Sequence, residues 1–470
     1  MYCCRKCNLN CFNEKRLKEH ENRCVNGKSI KPKLPAHNSK YASLSYKQGN
    51  YKYDLKEILS DFPEEQHKNI EQIIREEFNI ELTSCKSLGV AGYLAMVKSI
   101  GTIELMSDKY KKEFEFMKQA YHGGFTCLNT FRDTCKNNEI GMTVDCNSLY
   151  PYAGCYPVPI SDFEFVDPAN WTVDKIKLLS LVNDFGYYFD VSYEIPETIK
   201  NIVDAYPVTR SQENIADVKN RDHYVDHYYN IQTMIQLGYK ITRINKVLKF
   251  KQFPIMQNFF QKCYSLREKY PQYQSAIKLM MNSIYGMLIA RPENITKITV
   301  KNDKEFYQHA YDMTLVKSIS ANTDGSITIE KINPLCYYQS PYHWGITLLC
   351  ISRRIMSTFF YNNLWRLKDF RLLSTRTDSF KFIANRQDIE QNLMPVLNKE
   401  FGAFKQEGNV FKYFVATNTL NCQYEHGSEV DELVDKYVDG SLTKTEKRRY
   451  FMNTLKKRKF DGIKSLARDF

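Results

Sequence analysis

The sequence predicts a multi-domain α+β protein, and three features carry that expectation. A chain of 470 residues with 43% apolar content has the mass for more than one core. Segments with apolar residues three and four apart read as helices, and separate runs of alternating apolar residues read as strands. Two strand-like runs, distant in sequence, each end at an aspartate, Asp145 and Asp378.

Composition narrows the class further. There are 33 Tyr and 28 Phe against 3 Trp, which supplies many flat faces with polar tips. No apolar run approaches the ~18 residues of a membrane helix. The start, MYCCRKCNLN, lacks the apolar stretch of a secretory signal. With 14 scattered Cys and no compact disulfide framework, a reducing intracellular compartment is expected, nucleus or cytoplasm, without a membrane partner. The net charge of +12 sits at the ends: ten Lys/Arg face three acidic residues in 1–40, and again in 441–470, leaving −2 between. The last run, KTEKRRYFMNTLKKRKF, interleaves cations with Tyr450, Phe451, Leu455 and Phe460. Read alone it would be a solvated helical face. Two basic ends around a near-neutral body fit a polyanion better, with Lys447, Arg448, Arg449, Lys456 and Lys457 as phosphate contacts. An anionic membrane has no lipidation motif to support it.

The elements follow in chain order. In CRKCNLNCFNEKRLKEHENRC, Cys4 and Cys7 lie on a tight knuckle, and His20 and Cys24 lie one helical turn apart. That spacing suits tetrahedral Zn²⁺, with Cys3 or Cys11 as substitute ligands. Residues 25–40 read as a polar, Pro-containing linker. Residues 52–118 read as largely helical, and KQAYHGGFTCLNTF breaks at Gly123–Gly124, a turn that admits close approach of another chain. EIGMTVDCNSLYP reads as a buried strand delivering Asp145, and residues 185–250 mix strand and helix. YPQYQSAIKLMMNSIYGML reads as a helix closed near Gly286. After it come strand-like pieces, a helix around GITLLCISRRIMSTFFYNNLW, and the hairpin LLSTRTDSFKF.

Two constellations carry chemistry. Lys278, Asn282 and Tyr285 fall at i, i+4 and i+7, one stripe on a helix otherwise built of Ile277, Leu279, Met280, Met281 and Ile284. A cation, an amide and a phenol in succession suit a phosphorylated, flat ligand. Asp145 and Asp378 could share a pair of Mg²⁺ ions and drive in-line attack on a phosphate.

DCNSLYP, KLMMNSIYG and TRTDS resemble the A, B and C motifs of family B DNA polymerases, and YHGG resembles the Tyr-x-Gly-Gly loop of the protein-primed branch. The N-terminal finger together with HYYNIQTMIQLGYKITRINKVLKFKQFP resembles the enzymes of Maverick/Polinton transposons and related viruses. The likeness spans residues 116 to 425. It implies a right-hand polymerase fold of palm, fingers and thumb behind an N-terminal zinc finger. The implied divisions are finger 1–30, helical region 31–115, palm 116–254, fingers 255–290, insertion 291–341, palm 342–425 and thumb with basic tail 426–470. It implies a DNA-directed DNA polymerase of viral or mobile-element origin, with primer-template, dNTPs and a terminal or priming protein as partners. Asp145 and Asp378 would bind Mg²⁺ or Mn²⁺ with help from the Cys146 carbonyl. Ser148, Leu149 and Tyr150 would line the nucleotide, Tyr150 beneath the deoxyribose. Lys278 would hold the triphosphate, and Asn282, Tyr285 and Gly286 would border the base pair. Tyr121, Gly123 and Gly124 would contact template.

Three departures accompany the resemblance. The first Asp of motif C is Arg376 here. A guanidinium ~4 Å from Asp378 at an effective dielectric of ~20 is worth about 4 kcal/mol against metal binding if it points inward, and little if it points to solvent. No Lys-x-Tyr is evident near 412–424, and the region before motif A is too short for a proofreading exonuclease. A catalytically silent polymerase fold that binds DNA or a replication partner is therefore the second reading.

Overall fold

The computed structural model describes residues 2–3, 10–11, 43–44, 52–106, 108–130, 132–211, 218–289, 294–302, 305–306, 316–322, 324–333, 340–416 and 421–424. The expected zinc ligands Cys4, Cys7, His20 and Cys24 lie outside them, as do the basic residues Lys447, Arg448, Arg449, Lys456 and Lys457. Among the described residues no helix is long and apolar enough to cross a membrane.

After short strand pairs, Tyr2–Cys3 with Asn10–Cys11 and Ser43–Leu44 with Ile103–Glu104, the described residues of 55–118 are mainly helical. Helix α1 (His67–Phe78) buries Ile70, Ile73 and Ile74 and stops at Asn79, whose φ of 54° is the left-handed cap that asparagine tolerates. Helix α2 (Leu88–Ile100) begins where the Ser87 side chain accepts a hydrogen bond from the Val90 N–H at 3.3 Å. It is apolar almost all round, as befits a helix with neighbours on several sides.

Strands β1 (Thr126–Leu128) and β2 (Arg132–Thr134) lead to β3 (Glu139–Cys146), followed by the short helix α3 (Leu149–Ala153). Then come β4 (Val158–Val166), β5 (Phe185–Glu194), β6 (Arg221–His227), helix α4 (Tyr228–Leu237) and β7 (Lys240–Phe253). These four strands form an antiparallel sheet in the order β6-β5-β7-β4. Two helices follow, α5 (Gln257–Lys269) and α6 (Gln274–Leu288). The second closes at Leu288, two residues beyond Gly286, near where the sequence suggested an end. Glycine costs a helix only ~1 kcal/mol, less than the burial of Leu288 returns.

Strands β8 (Asn294–Val300), β9 (Val316–Ala321) and β10 (Ile327–Asn333) make a small antiparallel sheet of their own. Helix α7 (Tyr342–Phe359) is buried on nearly every side. Two of its buried side chains are anchored by polar contacts: Arg353 makes two 2.9 Å bonds to the buried Asp226 of β6, and the Trp344 indole donates to the Pro159 carbonyl at 2.7 Å.

The last strands are β11 (Arg371–Arg376), β12 (Ser379–Asn385), β13 (Phe404–Gln406), β14 (Tyr413–Ala416) and β15 (Asn421–Tyr424). A five-stranded sheet runs β13-β3-β12-β11-β1, and β15-β14-β2 form a three-stranded sheet beside it. Most of β3 is buried on both faces: Ile140, Met142 and Val144 alternate with the buried Glu139, Gly141 and Thr143. The five-stranded sheet carries both candidate carboxylates.

Candidate active site

Strands β3 and β12 pair antiparallel with Asp145 opposite Ser379, one residue after Asp378. The Cys146 N–H donates to the Asp378 carbonyl at 2.8 Å, which ties the two carboxylate-bearing segments together. Thr377 and Asp378 form the turn between β11 and β12, so Asp378 sits in the turn itself rather than at a strand end. The turn is held by the Thr377 N–H donating to the Phe125 carbonyl at 2.9 Å, with Thr377 at φ 53°.

Gly124 explains that fit. A Cβ there would stand 2.7 Å from Thr377 Cγ2 and 3.2 Å from its Cα. The close approach read from Gly123–Gly124 is therefore made, at Gly124, by the chain's own hairpin turn. Tyr121, in the same loop, stacks on Tyr342 with ring centroids 5.9 Å apart and remains 38% exposed.

On the other flank of β3, Lys405 of β13 lies opposite Asp145 and places its Nζ 3.4 Å from Asp145 Oδ2. Glu407 follows, its N–H donating to the Thr143 carbonyl at 2.9 Å. Burial, then the negative charges of Asp378 and Glu407, push Asp145 up to about 6, with Lys405 acting in opposition. Asp378 is raised too, by burial first and then Glu407; its backbone N–H, Lys278 and finally Arg376 oppose the rise. Carboxylates that resist ionisation beside one another gain most from a divalent cation between them. Among the described residues no three His, Cys, Asp or Glu side chains gather as a metal-binding group. An ion here would complete its shell with backbone, water and substrate oxygens, a set that suits Mg²⁺.

Arg376 is exposed, and its charge acts on Asp378 less than burial, Glu407 or Lys278 does.

The polar stripe of α6 faces this pair. Lys278, Asn282 and Gly286 are exposed and Tyr285 is half-buried, while Ile277, Met280, Met281 and Ile284 are buried. Leu279 departs from the expected apolar back: it is 38% exposed. Tyr285 stacks on Tyr150 of α3, centroids 4.4 Å apart and planes 17° from parallel. Burial raises the Tyr150 hydroxyl to about 12, so it is a neutral donor throughout the physiological range. Ser148 takes a left-handed conformation, φ 58°, and its Oγ accepts from Arg267 Nη1 of α5 at 3.0 Å.

Asp145, Asp378, Tyr150, Lys278 and Tyr285 thus meet as the sequence suggested, with Tyr121 and Gly124 beside them. The Cys146 and Leu149 side chains are buried at 1% and 3% exposure, which leaves only their backbone for a ligand. Lys405, Glu407 and Arg267 were not singled out from the sequence. FKQEG carries no motif, and Arg267 is one of several cations on its helix, so charge alone was the only signal.

Among solved structures the chain is similar to the Phi29 DNA polymerase. With the complex holding primer-template DNA and incoming nucleotide it shares 16% identity and a TM-score of 0.48, covering 73% of this chain and 55% of that one. With the single-stranded DNA complex the values are 16% and 0.47, over 82% of this chain and 72% of that one. No curated protein matches the sequence. Residues 12–340, more than two thirds of the chain, match the family described as DNA polymerase type B, organellar and viral, and the chain belongs to that family.

Proposed function

We propose that this chain is a DNA-directed DNA polymerase that transfers nucleotides from dNTPs to a primer 3′-hydroxyl, or to the hydroxyl of a priming protein. In the reaction the attacking oxygen bonds to the α-phosphorus, the bond to pyrophosphate breaks, and the hydroxyl proton passes to solvent. The observation that carries the reading is the meeting of Asp145 and Asp378 across one strand pair, with Lys278 acting on Asp378 from a separate helix. Mg²⁺ or Mn²⁺ held by the two carboxylates would neutralise phosphate charge and lower the barrier to attack. Lys278 would bind the triphosphate, and Tyr150 with its stacked partner Tyr285 would floor the sugar site. The five-stranded sheet serves as palm in this reading, α5 and α6 as fingers, and the parts after 425 as thumb and basic tail. A C2HC zinc finger over residues 1–30 and synthesis without proofreading belong to the same proposal.

Primer extension by the purified chain, with Mg²⁺ or Mn²⁺, tests it. Extension is expected for the parent and its loss for Asp145→Ala and Asp378→Asn. The second reading, a silent fold that still binds DNA, is favoured by one feature: Lys405 already pairs with Asp145 at 3.4 Å. A parent that binds primer-template yet extends nothing with either metal establishes that reading.

A further inference from the structure

Helices α1 and α2 lie against the back of the helix pair α5–α6, and the contact is built for close fit. Gly89 and Gly92 share one face of α2, three residues apart. A Cβ at Gly89 would stand 2.7 Å from Ser283 Cβ and 2.9 Å from its Oγ. A Cβ at Gly92 would meet Met280 Cγ and would lie 2.6 Å from the Met280 carbonyl oxygen, a backbone atom with no freedom to turn aside. At ~100° per residue, Met280 and Ser283 lie roughly 100–160° round α6 from the stripe of Lys278, Asn282 and Tyr285. Pressure on that back face is therefore transmitted to the stripe itself.

The second helix of the module holds the other end. Asn69 Nδ2 donates to the Tyr273 hydroxyl at 2.7 Å. The Glu77 carboxylate accepts from Lys269 Nζ at 2.8 Å and the Tyr270 hydroxyl at 3.2 Å, with Lys262 Nζ at 3.4 Å. Phe78 packs on Phe259, centroids 5.7 Å apart, and Ile70, Ile74 and Phe78 form an apolar seam with Ile277 and Met280.

Resting on the polymerase reading above, we propose that residues 67–100 brace the α5–α6 pair as a single body and set the position of the nucleotide-binding stripe over the carboxylates. Gly89 and Gly92 are then positioning residues, acting through α6 without touching substrate. The physical reason is that α6 presents only one face to the site. Its opposite face has to be fixed by something, and two side-chain-free positions let α2 come near enough to fix it by backbone contact. Glu77 locks the partner helix to the same module.

The test exchanges the methyl across the contact in the full chain. Gly89→Ala should raise the dNTP KM at least tenfold, with the Kd for primer-template within twofold of the parent. Gly89→Ala/Ser283→Gly removes both clashing atoms and should return the KM most of the way. Glu77→Gln, which adds no bulk, should raise the dNTP KM two- to fivefold and serves where Gly89→Ala does not fold. A module that merely supports folding would lower the yield or Tm of these variants and leave the KM of the folded fraction unchanged, which overturns the proposal. So does a double variant no better than the single. Should the parent extend no primer, the polymerase reading fails, and hydrogen exchange judges the brace alone. Faster exchange over 274–288 in the single variant, reversed in the double, supports the brace; unchanged exchange overturns it.

Discussion

Replacing Arg371 with Met should destabilise the sheet that carries the carboxylates by a pH-dependent amount. Arg371 donates to both Glu139 oxygens at 2.9 Å and to Asp133 at 2.9 and 3.3 Å, joining β11, β3 and β2. The Glu139 side chain is only 4% exposed. Hydrogen bonding to Arg371 leads the causes that hold its pKa near 2 instead of 4.5. That difference corresponds to about 3 kcal/mol. Since the folded value lies below the unfolded one, the contribution is complete above pH 4.5 and is lost as pH falls towards 2. In Arg371→Met the buried Glu139 loses its cation, so burial raises its pKa above 4.5, and the variant recovers as that carboxylate takes up a proton. The stability gap between parent and variant, at least about 3 kcal/mol at pH 7, should therefore narrow as pH falls to 4. Urea unfolding followed at pH 7, 6, 5 and 4 measures it, and Glu139→Gln closes a double-mutant cycle. A gap that stays constant with pH, or a cycle with no coupling, refutes the electrostatic account and leaves lost packing as the cause.

Four further outcomes follow from the site. Gly124→Ala must displace the Thr377–Asp378 turn, because its Cβ would sit 2.7 Å from Thr377 Cγ2; kcat should fall roughly 10- to 100-fold with primer-template affinity unchanged. Arg376→Asp should alter extension by less than about tenfold, since Arg376 is exposed and screened by solvent; a larger effect would mean that it turns inward in the working complex. Lys405→Met removes the cation 3.4 Å from Asp145 and should lower the Mg²⁺ concentration that gives half-maximal rate, whereas a raised requirement would assign Lys405 to substrate. Elemental analysis should find one zinc per chain, lost on Cys7→Ser; zinc that survives that change assigns the ligands elsewhere.

The sequence by itself determined the local parts of this protein. The alternation of Ile140, Met142 and Val144 made a buried strand, the i, i+4, i+7 spacing made a polar stripe on α6, and TRTDS made a tight acidic turn. Each depends on neighbours within a few residues, so pattern and propensity reach it. The apolar back of α6 departs from the pattern at Leu279, which is exposed, because burial depends on what lies alongside. Only the tertiary structure decided which groups share the site. Lys405 and Glu407 reach Asp145 and Asp378 because β13 pairs with β3, a register that no single segment encodes. Gly124 meets Thr377, and Gly92 meets Met280, across distances in sequence where loop closure and packing rather than local preference set the outcome. The weight of Arg376 was likewise undecidable from its letter. A guanidinium two residues from a carboxylate is worth several kcal/mol or almost nothing according to how far water screens it, and at the end of β11 Arg376 is exposed.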